Sequence, residues 1–234
     1  MNEITKFGQS GQGTESVLNR QRTVAMDIET ISLSSDEKGA LSAITGRIVC
    51  ICLLVDDGCT IREIAIASED ERQIITEFWN AIRPTDILVG HNILAFDLAF
   101  LRQRSWILGI RPTRKIDTRK YYTTDIADTL ELWTNWGNKK GASLDAIGIA
   151  LGFGGKTGDG SNVDGWWTDR NFAAIKSYCR DDVRLAYQVY RRLTYQEPKP
   201  ISDSGPPELP VFTRREADSG VNCPGGKVKT TCRN

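Results

Sequence analysis

Hydrophobic positions change period several times along the chain, and each change marks an element. Residues 23–29, TVAMDIE, read as a short strand, and after a polar loop the run RIVCICLLVDD reads as a second, nearly continuous apolar strand. Ile61, Ile64 and Ile66 in TIREIAIAS mark a third. Three strands in succession with short connections predict an antiparallel meander. In EDERQIITEFWNAIRP, Ile74, Ile75, Phe78 and Ile82 recur at helical spacing and Pro84 closes the helix. DILVGHN is a fourth strand that follows a helix, and is therefore expected to run parallel to an earlier one. Asp97 to Leu108 reads as a helix, RPTRKIDT as a fifth strand, SLDAIGIALGF as a short helix and NFAAIKSYCRDDVRLAYQVYRRL as a long one. The expected fold is α/β: one mixed five-stranded sheet, a three-strand meander plus parallel strands, with helices on both faces.

The bulk composition narrows this picture only a little. The chain has 234 residues, 40% hydrophobic and 26% charged, enough for one substantial domain with tails. Residues 1–22 read as a flexible leader, 23–195 as the domain, and 196–234, which hold six of the eight prolines, as an extended tail. Lys and Arg number 30 against 30 Asp and Glu, so any polyanionic partner must be met by a local patch. No apolar run is long enough to cross a bilayer and the N-terminus has no signal-peptide pattern, so a cytoplasmic protein is expected. Cys50, Cys52 and Cys179 fall in predicted buried elements and suit reduced thiols, while Cys223 and Cys232 in the tail could pair or help to bind zinc.

Candidate chemistry lies in the carboxylates. Asp27 and Glu29 are two apart on a strand, so they share a face and repel unless that face is exposed or a positive charge sits between them. In the last helix Phe172, Ile175, Cys179, Ala186, Val189 and Leu193 form an apolar stripe with one step missing, and Asp182 occupies it. Tyr178 stands one turn before Asp182, on the same face. Asp97 enters a predicted helix just after the strand that ends at Asn92, and the strand-to-helix turn carries it toward the sheet edge of Asp27 and Glu29. Four converging carboxylates need cations, and an all-oxygen donor set suits two Mg²⁺ or Mn²⁺ ions able to activate water at a phosphodiester.

DIET, NILAFD and YCRDD, in that order, resemble the three exonuclease motifs of the DnaQ-like DEDD superfamily, DxE, Nx₃FD and Yx₃D. The second and third are most similar to those of the proofreading exonuclease domains of family-B DNA polymerases and their stand-alone relatives. The third motif has Tyr178 four residues before Asp182 and Ser177 where the histidine-type subgroup needs histidine, so the tyrosine type is indicated. The resemblance implies a ribonuclease-H-like fold and a 3′-to-5′ exonuclease acting on DNA, at single-stranded or unpaired ends, with release of nucleoside 5′-monophosphates. It also implies roles. Asp27, Glu29 and Asp182 would bind the catalytic metal, Asp27 bridging to a second ion whose shell Asp97 completes directly or through water. Tyr178 would orient the attacking water. Asn92 would steady the terminal nucleotide or the second motif itself, Thr30 and Phe96 would contact the substrate, and Leu33 would wedge between the last two bases. His91, the only histidine, reads as a structural strand-end residue.

An RNA-trimming exonuclease and a catalytically silent nucleic-acid-binding scaffold are the competing readings. For substrate binding, the segment from Arg102 to Lys120 carries Arg102, Arg104, Arg111, Arg114, Lys115, Arg119 and Lys120 against only Asp117, and is a candidate phosphate-backbone patch. Trp133, Trp136, Trp166 and Trp167 are candidate stacking surfaces, and the Gly-rich segment 136–167 a candidate cover for a single-strand groove.

Overall fold

Alternation along the first strand sets the layout. In β1 (Thr23–Ser32) the side chains of Val24, Met26 and Ile28 enter one apolar cluster, and Ala25 enters another on the opposite face. The computed structural model describes residues 21–34, 38–121, 124–155 and 162–201. β1 pairs antiparallel with β2 (Gly46–Asp56), and β2 with β3 (Ile61–Ala67), which is the expected meander. α1 (Glu71–Ala81) leads to β4 (Ile87–Gly90), which lies parallel to β1 on its other side. α2 (Asp97–Ile107) follows, then β5 (Ile126–Asp128), parallel to β4, so the strand order is β3-β2-β1-β4-β5. α3 (Thr129–Thr134), α4 (Leu144–Ala150), α5 (Val163–Thr168) and α6 (Phe172–Leu193) complete the described chain.

The two sheet faces are covered by different helices. α1 and α2 bring Phe78 and Leu98 onto Met26, Ile28 and Ile51. α6 lays Ile175, Cys179, Val183 and Tyr187 on Cys50, Cys52, Leu54 and Val89. α4 packs on the outer flank of α6 through Ile147, Leu185 and Val189. The β1–β2 ladder shifts after Glu29: Glu29 faces Cys50 but Thr30 faces Ile48, so Val49 is an extra residue on β2. The bulge lets Val49 turn to the α6 side like Cys50, where it meets Ile31 and Val163 of α5.

The fifth strand is not RPTRKIDT. That segment has no regular structure, because its side chains serve the edge of the core. Arg114 is buried and donates to the carbonyls of Arg83 and Asp86, and Ile116 enters the apolar cluster beside it. The strand beside β4 is the three-residue IAD, too short to show a period. α3 and α5, six residues each, were also not predicted. Arg104 and Arg114 leave the expected basic patch, the first pairing with Glu71 and the second with Asp125, while Arg119 pairs with Asp117 at the surface. After α6 the chain runs back over it: the carbonyls of Glu197 and Lys199 accept from Arg191 and Gln188, and the Lys199 ammonium reaches Asp56 at 2.8 Å. Most of the leader, the tail with Cys223 and Cys232, and part of the Gly-rich segment lie outside the described residues. Among the described residues no helix is long and apolar enough to cross a membrane.

Two buried ion pairs tie the layers. Asp86 takes Nε and Nη2 of Arg22 at 2.8 and 2.5 Å and the backbone N–H of Arg83, fixing the start of β1 to the α1–β4 turn. Glu71 takes Arg104 through two oxygens at 2.8 and 2.6 Å and the N–H of Ile48, while Arg104 also donates to the Ala43 carbonyl. Arg104→Ala should cost about 3–5 kcal/mol in equilibrium urea unfolding, since it leaves Glu71 buried without its cation. Arg104→Met with Glu71→Gln should recover much of that loss, because removing both charges spares the orphaned one.

Candidate active site

The four candidate carboxylates stand on three elements, and of the four only Asp27 and Glu29 fall in one close donor group, together with Cys179. Asp27 and Glu29 stand on β1 opposite Cys52 and Cys50 of β2, on the face covered by α6. Their oxygens and the Cys179 sulfur lie within 4.8 Å of one another. Asp182, 5% exposed, fills the interrupted step of the α6 stripe one turn beyond Tyr178. Asp97 comes from the opposite face as the first residue of α2. Its Oδ1 accepts the N–H of Ile28 at 3.1 Å, which ties the helix start to the backbone between Asp27 and Glu29.

Asp97 is 4% exposed, and burial is the main cause that raises its proton affinity. N–H donors at the helix start and at Ile28 pull the other way, and the charges of Asp128 and Asp182 push it up again. Its pKa ends at about 7. Burial, more than neighbouring charge, therefore sets the proton affinity of Asp97.

Asp128 was not among the sequence candidates. At the end of β5 it accepts N–H groups from Asn92 at 2.8 Å, Leu94 at 3.1 Å and Leu130 at 3.0 Å. It thus caps α3 and clamps the turn that carries the second motif. The signal was available: Asp128-Thr-Leu-Glu131 has the spacing of a capping box, but the flanking strand and helix are too short to draw attention. The clamp holds Asn92 at φ 61°, in the left-handed region, with its carbonyl accepting from Ala95 and Phe96. His91 lies beside Thr129 Oγ1 through Nδ1 at 3.0 Å and beside the Ala142 carbonyl through Nε2 at 3.1 Å, which suits a structural role.

The remaining candidates have contacts of their own. Tyr178 packs its ring 5.9 Å from that of Trp166 in α5. Thr30 donates its hydroxyl to the Ala40 carbonyl at 2.7 Å, which ties it to the loop after β1. Leu33, 58% exposed, follows the end of β1 and is held by its N–H to the Thr45 carbonyl. Phe96 is half-buried against Phe100. Trp167 is taken up by Phe172 and the Arg47 guanidinium, and Trp136 by Tyr121, while Trp133 is exposed on α3.

Residues 41–200 match the family described as "Predicted 3'-5' exonuclease related to the exonuclease domain of PolB". The match covers more than half of the chain and includes Asp97, Tyr178 and Asp182, with Asp27 and Glu29 just before it. The chain belongs to this family of predicted 3′–5′ exonucleases, and is an enzyme of the nuclease class. A search of curated proteins found no match. Solved structures it is similar to include E. coli exonuclease I with a 5cy-dT13 oligonucleotide, at 10% identity and a TM-score of 0.42, covering 75% of this chain and 42% of the other. An ExoI/SSB-Ct complex gives 10% identity and a TM-score of 0.45, covering 76% and 46%. The chain thus spans less than half the length of these proteins, and likenesses so distant carry no function across.

Titration of Asp97 has a defined sign. The native state holds this proton up to about pH 7, whereas the unfolded chain releases it near 3.8, so between these values the native state binds more protons. Its contribution to stability is complete below about pH 4 and is lost as pH rises through 7. In chelator-treated protein, denaturation across this range should show Asp97→Asn flattening the decline relative to the parent.

Proposed function

We propose that this chain is a two-metal-ion 3′-to-5′ exonuclease that hydrolyses phosphodiester bonds at the 3′ end of DNA. Single-stranded or unpaired ends would be its substrates and nucleoside 5′-monophosphates its products. The observation that carries the reading is the hydrogen bond from Ile28 N–H to Asp97, which brings a buried carboxylate to a rim already holding Asp27 and Glu29.

The donor set fits the implied metals. Asp27, Glu29, Asp97 and Asp182 offer oxygens only, which suits hard divalent ions such as Mg²⁺ or Mn²⁺. When bound, such ions supply a nucleophilic water at neutral pH and stabilise charge on the phosphoryl and leaving oxygens. The protein does the rest. Tyr178 orients the water through its hydroxyl, since a phenol with pKa near 10 is a poor base at neutral pH. Trp166 braces the Tyr178 ring. Leu33, exposed just past β1, would enter the stack of the terminal bases, and Asn92 and Phe96 of the second motif would contact the terminal nucleotide. Thr30 acts by holding the loop that carries Leu33. The catalytic unit is residues 23–195, the partner is nucleic acid rather than membrane, and a cytoplasmic setting suits the thiols Cys50, Cys52, Cys59 and Cys179.

The deciding experiment is a time course on 5′-labelled DNA and RNA, single- and double-stranded, with Mg²⁺, Mn²⁺ or EDTA. Stepwise shortening from the 3′ end that stops on chelation and vanishes in Asp182→Ala is expected. Cleavage undiminished by EDTA would sink the reading, and preference for RNA would move it to the exoribonuclease class. Tyr178→Phe should lower the single-turnover rate by roughly ten- to a thousandfold while keeping the metal-induced rise in melting temperature. An unchanged rate would remove the hydroxyl from the mechanism.

A further inference from the structure

Three of the four described cysteines meet at one point between the sheet and α6. Cys50 and Cys52 point from β2 to the same face, and Cys179 descends on them from α6. All three are buried, at 0, 1 and 0% exposure. Their sulfurs lie within 4.8 Å of one another, Cys50 and Cys52 at 3.9 Å. A disulfide, at about 2.05 Å, is absent at this spacing. Sulfurs that share one ion at about 2.3 Å stand roughly 3.8–4.0 Å apart, which the Cys50–Cys52 pair already matches, and Cys179 lies within 4.8 Å of both.

We propose that Cys50, Cys52 and Cys179 form a binding site for a thiophilic d¹⁰ divalent ion, of the Zn²⁺ or Cd²⁺ kind, distinct in its chemistry from the carboxylate rim beside it. Sulfur donors select such ions, whereas the oxygen donors of Asp27 and Glu29 select hard ones. The two sets touch at Cys179, whose sulfur is within 4.8 Å of both carboxylates. A tetrahedral ion on the three sulfurs needs a fourth donor, and the carboxylates of Asp27 and Glu29 beside Cys179 are the anionic oxygens at hand. Those oxygens would then be withdrawn from any hard ion, so occupancy of the sulfur site opposes occupancy of the rim.

Packing alone is the competing account, because thiols serve well as small buried groups. Cys179 also donates to the Asp27 carbonyl at 3.5 Å and Cys52 to the Lys176 carbonyl at 3.7 Å, so neither needs an ion to be satisfied. What packing does not require is that both neighbours on one strand face and the helix residue above them all be sulfur donors within 4.8 Å of one another. Entry needs local opening between β2 and α6, so binding should be slow relative to that of a surface site.

The test uses the full chain carrying Cys59→Ser, Cys223→Ser and Cys232→Ser, with Cd²⁺ as probe. The site predicts one Cd²⁺ per chain by equilibrium dialysis, a sulfur-to-cadmium charge-transfer band in the ultraviolet, and a melting temperature raised by the ion. Cys50→Ser and Cys179→Ser, each checked for native near-ultraviolet circular dichroism, should weaken binding at least about tenfold, since losing a ligand costs no less than losing its supporting shell. X-ray absorption at the cadmium edge should count three sulfur neighbours, a readout that stands even where a variant fails to fold. Fewer than three sulfurs, a band that survives Cys179→Ser, or a melting temperature lowered by Cd²⁺ would each overturn the proposal, the last because it means that the unfolded chain takes the ion. None of these readouts needs cleavage, so failure here and failure of the exonuclease reading are separable.

Discussion

A central strand has to bring acidic side chains to the boundary of a buried layer, and the rest of the structure is arranged around that constraint. β1 lies between β2 and β4, so Asp27 and Glu29 sit at the middle of the sheet rather than at an edge where solvent would screen them. Asp97 and Asp182 are buried on α2 and α6, and the raised pKa of Asp97 records first the cost of burying a carboxylate and only then the charges of Asp128 and Asp182. Carboxylates held this way are poorly placed for stability and well placed for cations.

Neutral and cationic scaffolding away from the rim offsets the cost. Arg22 with Asp86 and Arg104 with Glu71 each bury a guanidinium with all of its carboxylate partner engaged, and each joins segments far apart in sequence. Asp128 does similar work without a cation, through three backbone N–H groups around the second-motif turn. These residues contact no substrate in the proposed reaction. They fix the geometry on which the four carboxylates depend.

Much of this was legible in the sequence, and the parts that were not share a physical reason. The meander, the parallel fourth strand and both long helices come from apolar periods sustained over several turns or pleats, as in Ile74, Ile75 and Phe78 of α1. The order of DIET, NILAFD and YCRDD identified the exonuclease class, and the geometry then placed Asp97 against Ile28 at the predicted rim. β5, α3 and α5 span three to six residues, too few for a period, and they exist because long-range contacts hold them. RPTRKIDT misled for the converse reason: its charges look like a solvated strand, but Arg114 is drawn into the core by carbonyls that no local pattern reveals. Asp128 was missed because its three partners come from both sides of the sequence gap between β4 and α3.

The extra residue at Val49 has a consequence for folding accuracy. In a regular antiparallel ladder, a slip of two residues keeps every side chain on its own face, and such an error is cheap because the apolar pattern does not detect it. On β2 the parity changes between Val49 and Cys50, so a slipped β1 would meet the irregularity two positions away from where its own chain accommodates it. Ile31 would lose Val49 and Val163, and Ile48 would be forced from its cluster with Ile28. The bulge thereby makes the alignment of Asp27 with Cys52 and Glu29 with Cys50 single-valued, turning one irregular peptide into a proofreading step on the assembly of the sheet itself.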